Sequence, residues 1–173
     1  MLLTQLVTLL GGRVIGRVSS ADKVDLAKAA GAEHVIVSKT GQFADEVLRL
    51  TNGEGVQAVY DGSGAETFKE SVRSLTYDGT LVLFGPLMHP MAPIDIYRLP
   101  KSIHLTYPSV MDFARTPQRL AKHSAQLFDW VREGKLNVRI GRRYPLAEAA
   151  QAHADIDSRR TTGKLLLIPD RSL

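Results

Sequence analysis

The chain has 173 residues, 44% hydrophobic and 23% charged, with a formal net charge of +4. These are the proportions of a soluble globular protein, long enough to bury roughly 70% of its unfolded surface. Without cysteine it has no disulfide framework and no thiolate metal site, in keeping with a cytoplasmic setting. Apart from Arg142–Arg143 and Arg159–Arg160 the basic residues are scattered. No stripe suits a nucleic-acid backbone, whereas mild basicity suits a small anionic ligand.

The opening MLLTQLVTLL is too short to span a bilayer and lacks a basic leader and a small-residue cleavage site. It reads as a buried helix over Met1–Leu10, stopped by Gly11–Gly12. No Ser, Asp or Pro caps its start, so it looks cut from something longer. Then comes RVIGRVSSADK. Val14–Val18 is a β-branched strand, Ser19 and Ser20 are N-cap residues, and Asp22 suits the first turn of a helix that ends at Gly31. His34–Val37 is the next strand. Phe43, Val47 and Leu50 share a helix face, closed by Asn52–Gly53. Val56–Tyr60 is a strand ending in Asp61-Gly62-Ser63-Gly64; Phe68, Val72 and Leu75 mark another helix. Tyr77-Asp78-Gly79 turns into the strand Thr80–Phe84, which ends at Gly85. This βαβα alternation predicts a parallel sheet covered on both faces.

After Gly85 the pattern breaks. Pro86, Pro90, Pro93 and Pro100 punctuate a loop with a helical turn near Ile94–Leu99. Ser102–Thr106 alternates like an edge strand. A long helix follows over about Thr116–Glu133, with Leu120, Leu127, Phe128 and Val131 inward. Leu136–Ile140 alternates as in an antiparallel sheet with one wet face. Leu146, Ala149, Ala150, His153 and Ile156 form a short helix face, and Gly163–Ile168 is a last strand. These final elements look like part of a second region that the chain does not complete.

Ligands of such sheets bind beyond the carboxyl ends of the strands. There the chain offers Ser19, Ser20 and Lys23 where an NAD pocket places Asp or Glu. Hydroxyls, amides and an ammonium suit a 2′-phosphate; an ordinary serine cap with a solvated lysine fits the same residues. Gly62, Ser63, Phe84 and Gly85 end neighbouring strands and read either as a dinucleotide track or as turn chemistry. No G-x-G-x-x-G is present. If Met1–Leu10 is a first crossover helix, the glycine-rich loop and its strand precede Met1, and their loss leaves unpaired backbone in the sheet. The five histidines show no metal-ligand spacing, and His153 reads as a core histidine. No nucleophile–base pair stands out.

RVIGRVSSADK, AGAEHVI, VYDGSG, LVLFG, LTYPSV, QLFDWVREGKL, RYPLAEAAQAH and TTGKLLLIP fall in an order that resembles the quinone oxidoreductase (zeta-crystallin-like) branch of the medium-chain dehydrogenase/reductase superfamily. The resemblance covers nearly the whole chain and implies a Rossmann-type doubly wound α/β sheet lacking its first strand, residues 1–135. Residues 136–173 would then be C-terminal strands and helix of an incomplete GroES-like catalytic domain. It implies NADP(H), held on the 2′-phosphate side by Ser19, Ser20 and Lys23, with Gly62, Ser63, Phe84 and Gly85 along the cofactor. It also implies a quinone or enone substrate, no catalytic zinc, and a homodimer paired through the edge near Ser102–Thr106. Two positions depart from the family: Ser38 stands where a Tyr commonly supports the adenosine phosphate, and Pro86 where Asn commonly follows Phe-Gly. The expectation is a C-terminal fragment of an NADPH-dependent quinone reductase, inactive alone. The alternative is a non-catalytic cofactor-binding or dimerisation module.

Overall fold

The computed structural model describes residues 1–84, 91–158 and 161–169. Gly85, Pro86, His89, Pro90 and Arg159–Arg160 lie outside the described residues.

The first half is a run of short strands and crossover helices. Helix α1 (Leu2–Leu9) leads to β1 (Ile15–Val18), α2 (Val24–Ala29) and β2 (His34–Val37). Next come α3 (Ala44–Leu50), β3 (Val56–Asp61), α4 (Phe68–Ser74), β4 (Leu75–Leu83) and β5 (Ile103–Thr106). Each pair is parallel, as a helical crossover requires. The strands form two groups, β1-β2 and β3-β4-β5, with no hydrogen-bonded ladder between them among the described residues. That is the consequence of a doubly wound sheet without its first strand: β1 and β3 each lack one neighbour.

The core of this half is Val72, Leu75, Leu81 and Leu83, packed by Val59, Phe68, Met91 and Ile103. Leu75 and Leu81 are fully buried, so truncating either to Ala costs about 2–5 kcal/mol. Strand β4 begins earlier than the apolar run predicts. Leu75 pairs with Val56 and Thr80 with Ala58, so the predicted turn at Tyr77-Asp78-Gly79 survives as a bulge, with Asp78 at φ +60°. Gly55 shows why glycine precedes β3. Its φ is +80°, and a Cβ there would lie 2.6 Å from the Ser74 carbonyl oxygen.

Helices α3 and α4 are joined by charge. The Glu70 carboxylate accepts the Phe43 and Ala44 amides, both at 2.9 Å, and so caps α3 from a neighbouring helix. Burial works against its ionised form, but those amides and the Arg73 guanidinium prevail and hold it below the usual glutamate range. Arg73 also reaches Asp45 on α3.

The second half departs from its pattern in three places. Helix α6 (Pro117–Arg132) follows a short α5 (Val110–Phe113) and is capped by Thr116, whose hydroxyl oxygen accepts the Arg119 amide. Its apolar face is not inward: Leu120, Leu127, Phe128 and Val131 are 52, 46, 69 and 40% exposed. Periodicity establishes that a face exists, not that this chain covers it. Leu136–Ile140 is not a strand; β6 is Ile140–Pro145 and pairs in parallel with β7 (Lys164–Ile168) across α7 (Ala149–Asp157). A strand pairs only along its partner's length, and β7 starts opposite Ile140. His153 is exposed, and the buried position on α7 is Ala152. This unit is held by Tyr144, fully buried, whose hydroxyl donates to Asp155. Gln5 of α1 exchanges two hydrogen bonds with the Asn137 backbone, tying α1 to the segment that leads into β6.

Candidate functional site at the strand tips

A cavity of about 680 Å³ opens between β1 and β3 and runs to their carboxyl ends. Lys23, Gly62 and Ser63 line it together with Arg17, Asp61 and Thr67. Three of the residues singled out from sequence are thereby gathered from two separate turns. Ser19, Ser20, Ser38 and Phe84 do not line it.

The turn after β3 is built by Asp61. Its side chain is buried, and Oδ1 accepts the Ser63 amide at 2.8 Å and the Gly64 amide at 3.0 Å. The Thr67 hydroxyl donates to both carboxylate oxygens, at 2.7 and 2.8 Å, and the Ser71 hydroxyl to Oδ2 at 2.7 Å. This closed set fixes Gly62 and Ser63 at the cavity's rim. Phe84 backs the turn: a Cβ on Gly62 would come within 3.4 Å of its ring, which meets Tyr60 edge-on at 6.5 Å.

The turn after β1 differs from a serine-capped helix start. Ser20 holds the N-cap position of a 3₁₀ turn over Ala21–Lys23 but makes no side-chain cap. Its hydroxyl instead bonds the Asp22 carboxylate, which together with the Lys23 charge holds that group below its usual range. Helix α2 begins only at Val24. Ser38 is buried, and its hydroxyl has no hydrogen-bond partner. Its carbonyl accepts the Arg17 guanidinium at 3.0 Å, and that guanidinium lies 5.8 Å from the Phe43 ring centroid.

Sequence reasoning passed over Arg17, Asp61, Thr67 and Ser71. In the sequence Arg17 is one residue of a strand, with nothing local to mark it. The signal for the rest is the spacing Asp61–Thr67–Ser71, a carboxylate at a strand end followed by two hydroxyls one helical turn apart. Nothing gathers into a metal centre: among the described residues no three His, Cys, Asp or Glu side chains could share an ion. No helix among them is long and apolar enough to cross a membrane.

Residues 30–167 match the family model described as zinc-binding dehydrogenase. A quinone oxidoreductase of Pseudomonas aeruginosa is 36% identical over 162 residues, covering 92% of this chain and 50% of that protein. A mycobacterial protein solved in complex with NADPH is 47% identical with a TM-score of 0.88, covering 96% of this chain and 53% of that one. The Escherichia coli quinone oxidoreductase in complex with NADPH is 30% identical with a TM-score of 0.89, at 96 and 53% coverage. The chain spans about half the length of the curated relatives it matches. It belongs to the zinc-binding dehydrogenase family, in the quinone oxidoreductase branch of the medium-chain dehydrogenase/reductase superfamily, and corresponds to the Rossmann half of those proteins.

Proposed function

We propose that this chain forms the NADP(H)-binding part of a quinone reductase that passes hydride from NADPH to a quinone or enone. The observation that carries the reading is one cavity lined by an ammonium (Lys23), a hydroxyl (Ser63) and a glycine (Gly62) beyond the ends of two parallel strands. The residues present fit a phosphorylated adenosine. Lys23 would face the 2′-phosphate, with Ser19 and Ser20 beside it. Ser38, too short to reach as a tyrosine would, leaves Arg17 as the nearby cation. Gly62 and Ser63 would follow the cofactor toward Phe84 and Gly85. When bound, the nicotinamide supplies the hydride; these residues bind and orient it, and no catalytic acid or base is assigned to them.

The test is fluorescence titration of the chain with NADPH and NADH, repeated on Lys23→Ala. NADPH is expected to bind more tightly than NADH. K23A should weaken NADPH roughly tenfold or more, the worth of one charge-assisted hydrogen bond, and leave NADH unchanged. Equal affinity for the two cofactors, or an equal loss for both, overturns the assignment.

A second reading is favoured by exposed surface. The accessible area is 12498 Å², against about 8400 Å² for a compact monomer of this mass. Strand β5 lies at a sheet edge, and Tyr107, Val110, Met111, Phe113 and Phe128, on and before the nearby helices, are all more than half exposed. We infer a homodimer that joins through the Ser102–Thr106 edge and covers these side chains.

A further inference from the structure

Among the described residues, the cations that line the cavity are Arg13, Arg17 and Lys23. Arg13 precedes β1, at the amino end of that strand, and its guanidinium is spent on Glu33, at 2.6 and 2.7 Å. Arg17 and Lys23 stand at the other end. Asp61 is the acid in this lining, and its carboxylate already holds two amides and two hydroxyls. Asp22, next to Lys23 in the chain, offsets part of that ammonium's charge. The carboxyl end of the cavity therefore carries excess positive charge, and Arg17 is its least compensated source.

The placing of Arg17 follows from strand alternation. A side chain at Gly16 would meet Ala27 of α2 and Ala32, so its neighbour Arg17 points to the opposite face, toward Phe43 at the start of α3. Other arginines that bond within the fold reach a carboxylate: Arg13, Arg49, Arg73, Arg98, Arg132 and Arg142. Arg17 reaches a neutral group instead, the Ser38 carbonyl at 3.0 Å, through one of its five N–H donors. The Phe43 ring, 5.8 Å away, is its second anchor. A carbonyl and a ring hold a guanidinium in place without neutralising it, and leave donors to spare. That is what a bound anion needs from an arginine.

We propose that Arg17 is a specificity-determining residue for a phosphate monoester in this cavity. Its planar fork grips the dianion from one side while the Lys23 ammonium faces it from another. The inference rests on the nucleotide reading above and deepens it, by naming the residue that tells a 2′-phosphorylated adenosine from an unphosphorylated one. A phosphate monoester carries about two negative charges near neutral pH and takes up a proton as pH falls through about 6. The charged groups facing it are Arg17, Lys23 and Asp61, with Asp22 beside them. No histidine, the side chain that ordinarily titrates in that range, is among the described residues of the lining. The ligand's own proton should therefore set the pH profile.

The experiment is calorimetric titration with NADP⁺ and NAD⁺, which differ only in that phosphate, on the parent chain and on Arg17→Gln, Arg17→Lys and Lys23→Ala. Gln keeps an amide donor and removes the charge; Lys keeps the charge and removes the fork. R17Q is expected to weaken NADP⁺ roughly tenfold and leave NAD⁺ unchanged, with R17K losing less. In the parent chain NADP⁺ affinity should fall about tenfold between about pH 7.5 and 5, and NAD⁺ affinity should not. Equal weakening of both nucleotides by R17Q would make Arg17 a merely structural residue and overturn the proposal. So would a loss in R17K as large as that in R17Q, or a flat pH profile for NADP⁺. A preference for NADP⁺ that K23A abolishes and R17Q keeps would remove this proposal and leave the nucleotide reading standing. A parent chain that binds the two alike would take down both. Where R17Q does not fold, R17K and the parent's pH profile still decide it.

Discussion

Removing the Asp61 carboxylate tests whether the turn at the cavity rim is built as described. Asp61→Ala deletes the acceptor for two backbone amides and two hydroxyls, of which the Gly64 amide and the Thr67 and Ser71 hydroxyls are buried. Each buried donor left unmet costs about 1–3 kcal/mol, but a hydroxyl can rotate toward another acceptor. A loss of about 3–5 kcal/mol follows, a large share of the 5–15 kcal/mol typical of a domain. Asp61→Asn keeps Oδ1 for the Ser63 and Gly64 amides and presents an amide to hydroxyls that can turn to accept it. Its cost should stay near 1 kcal/mol. Urea unfolding of the three proteins, followed by circular dichroism and intrinsic fluorescence, measures both values. If D61A falls within 1 kcal/mol of the parent, or D61N costs as much as D61A, the hydrogen-bond count is not what holds this turn.

Two further outcomes are open to measurement. Glu70 has its folded pKa depressed, so its contribution is present above the ordinary glutamate value of 4.5 and is lost as pH falls through the folded value. Glu70→Gln should therefore be less stable than the parent by about 1–2 kcal/mol at neutral pH, with the gap closing in acid; a gap independent of pH would contradict this. The homodimer reading predicts a twofold mass in sedimentation at micromolar concentration, and Phe128→Glu should shift the chain toward monomer. A clean monomer in the parent chain would refute it.

The order of strands and helices through β4 was legible because each signal is local. β-branched runs, apolar spacing at i, i+4, i+7, and glycine or asparagine closures at Gly31, Asn52–Gly53 and Tyr77-Asp78-Gly79 act within a few residues. Where pairing decides, the reading strayed. Leu136–Ile140 alternates as a strand should, yet β7 offers partners only from Ile140 onward. The long helix has its apolar stripe, and none of the described residues covers Leu120 or Phe128.

What the sequence alone determined was the kind of unit: parallel strands with helical crossovers, polar turns at their tips, and the candidate positions Ser19, Ser20, Lys23, Gly62 and Ser63. Only the tertiary structure decided that Lys23, Gly62 and Ser63 share one cavity while the two serines stay outside it. It alone showed Asp61 as the acceptor that fixes the rim, and β1 and β3 as open edges along the same space. The physical reason is range. Propensity and capping are set by neighbours in the chain, whereas a shared cavity and a missing ladder depend on residues about 40 positions apart meeting in space.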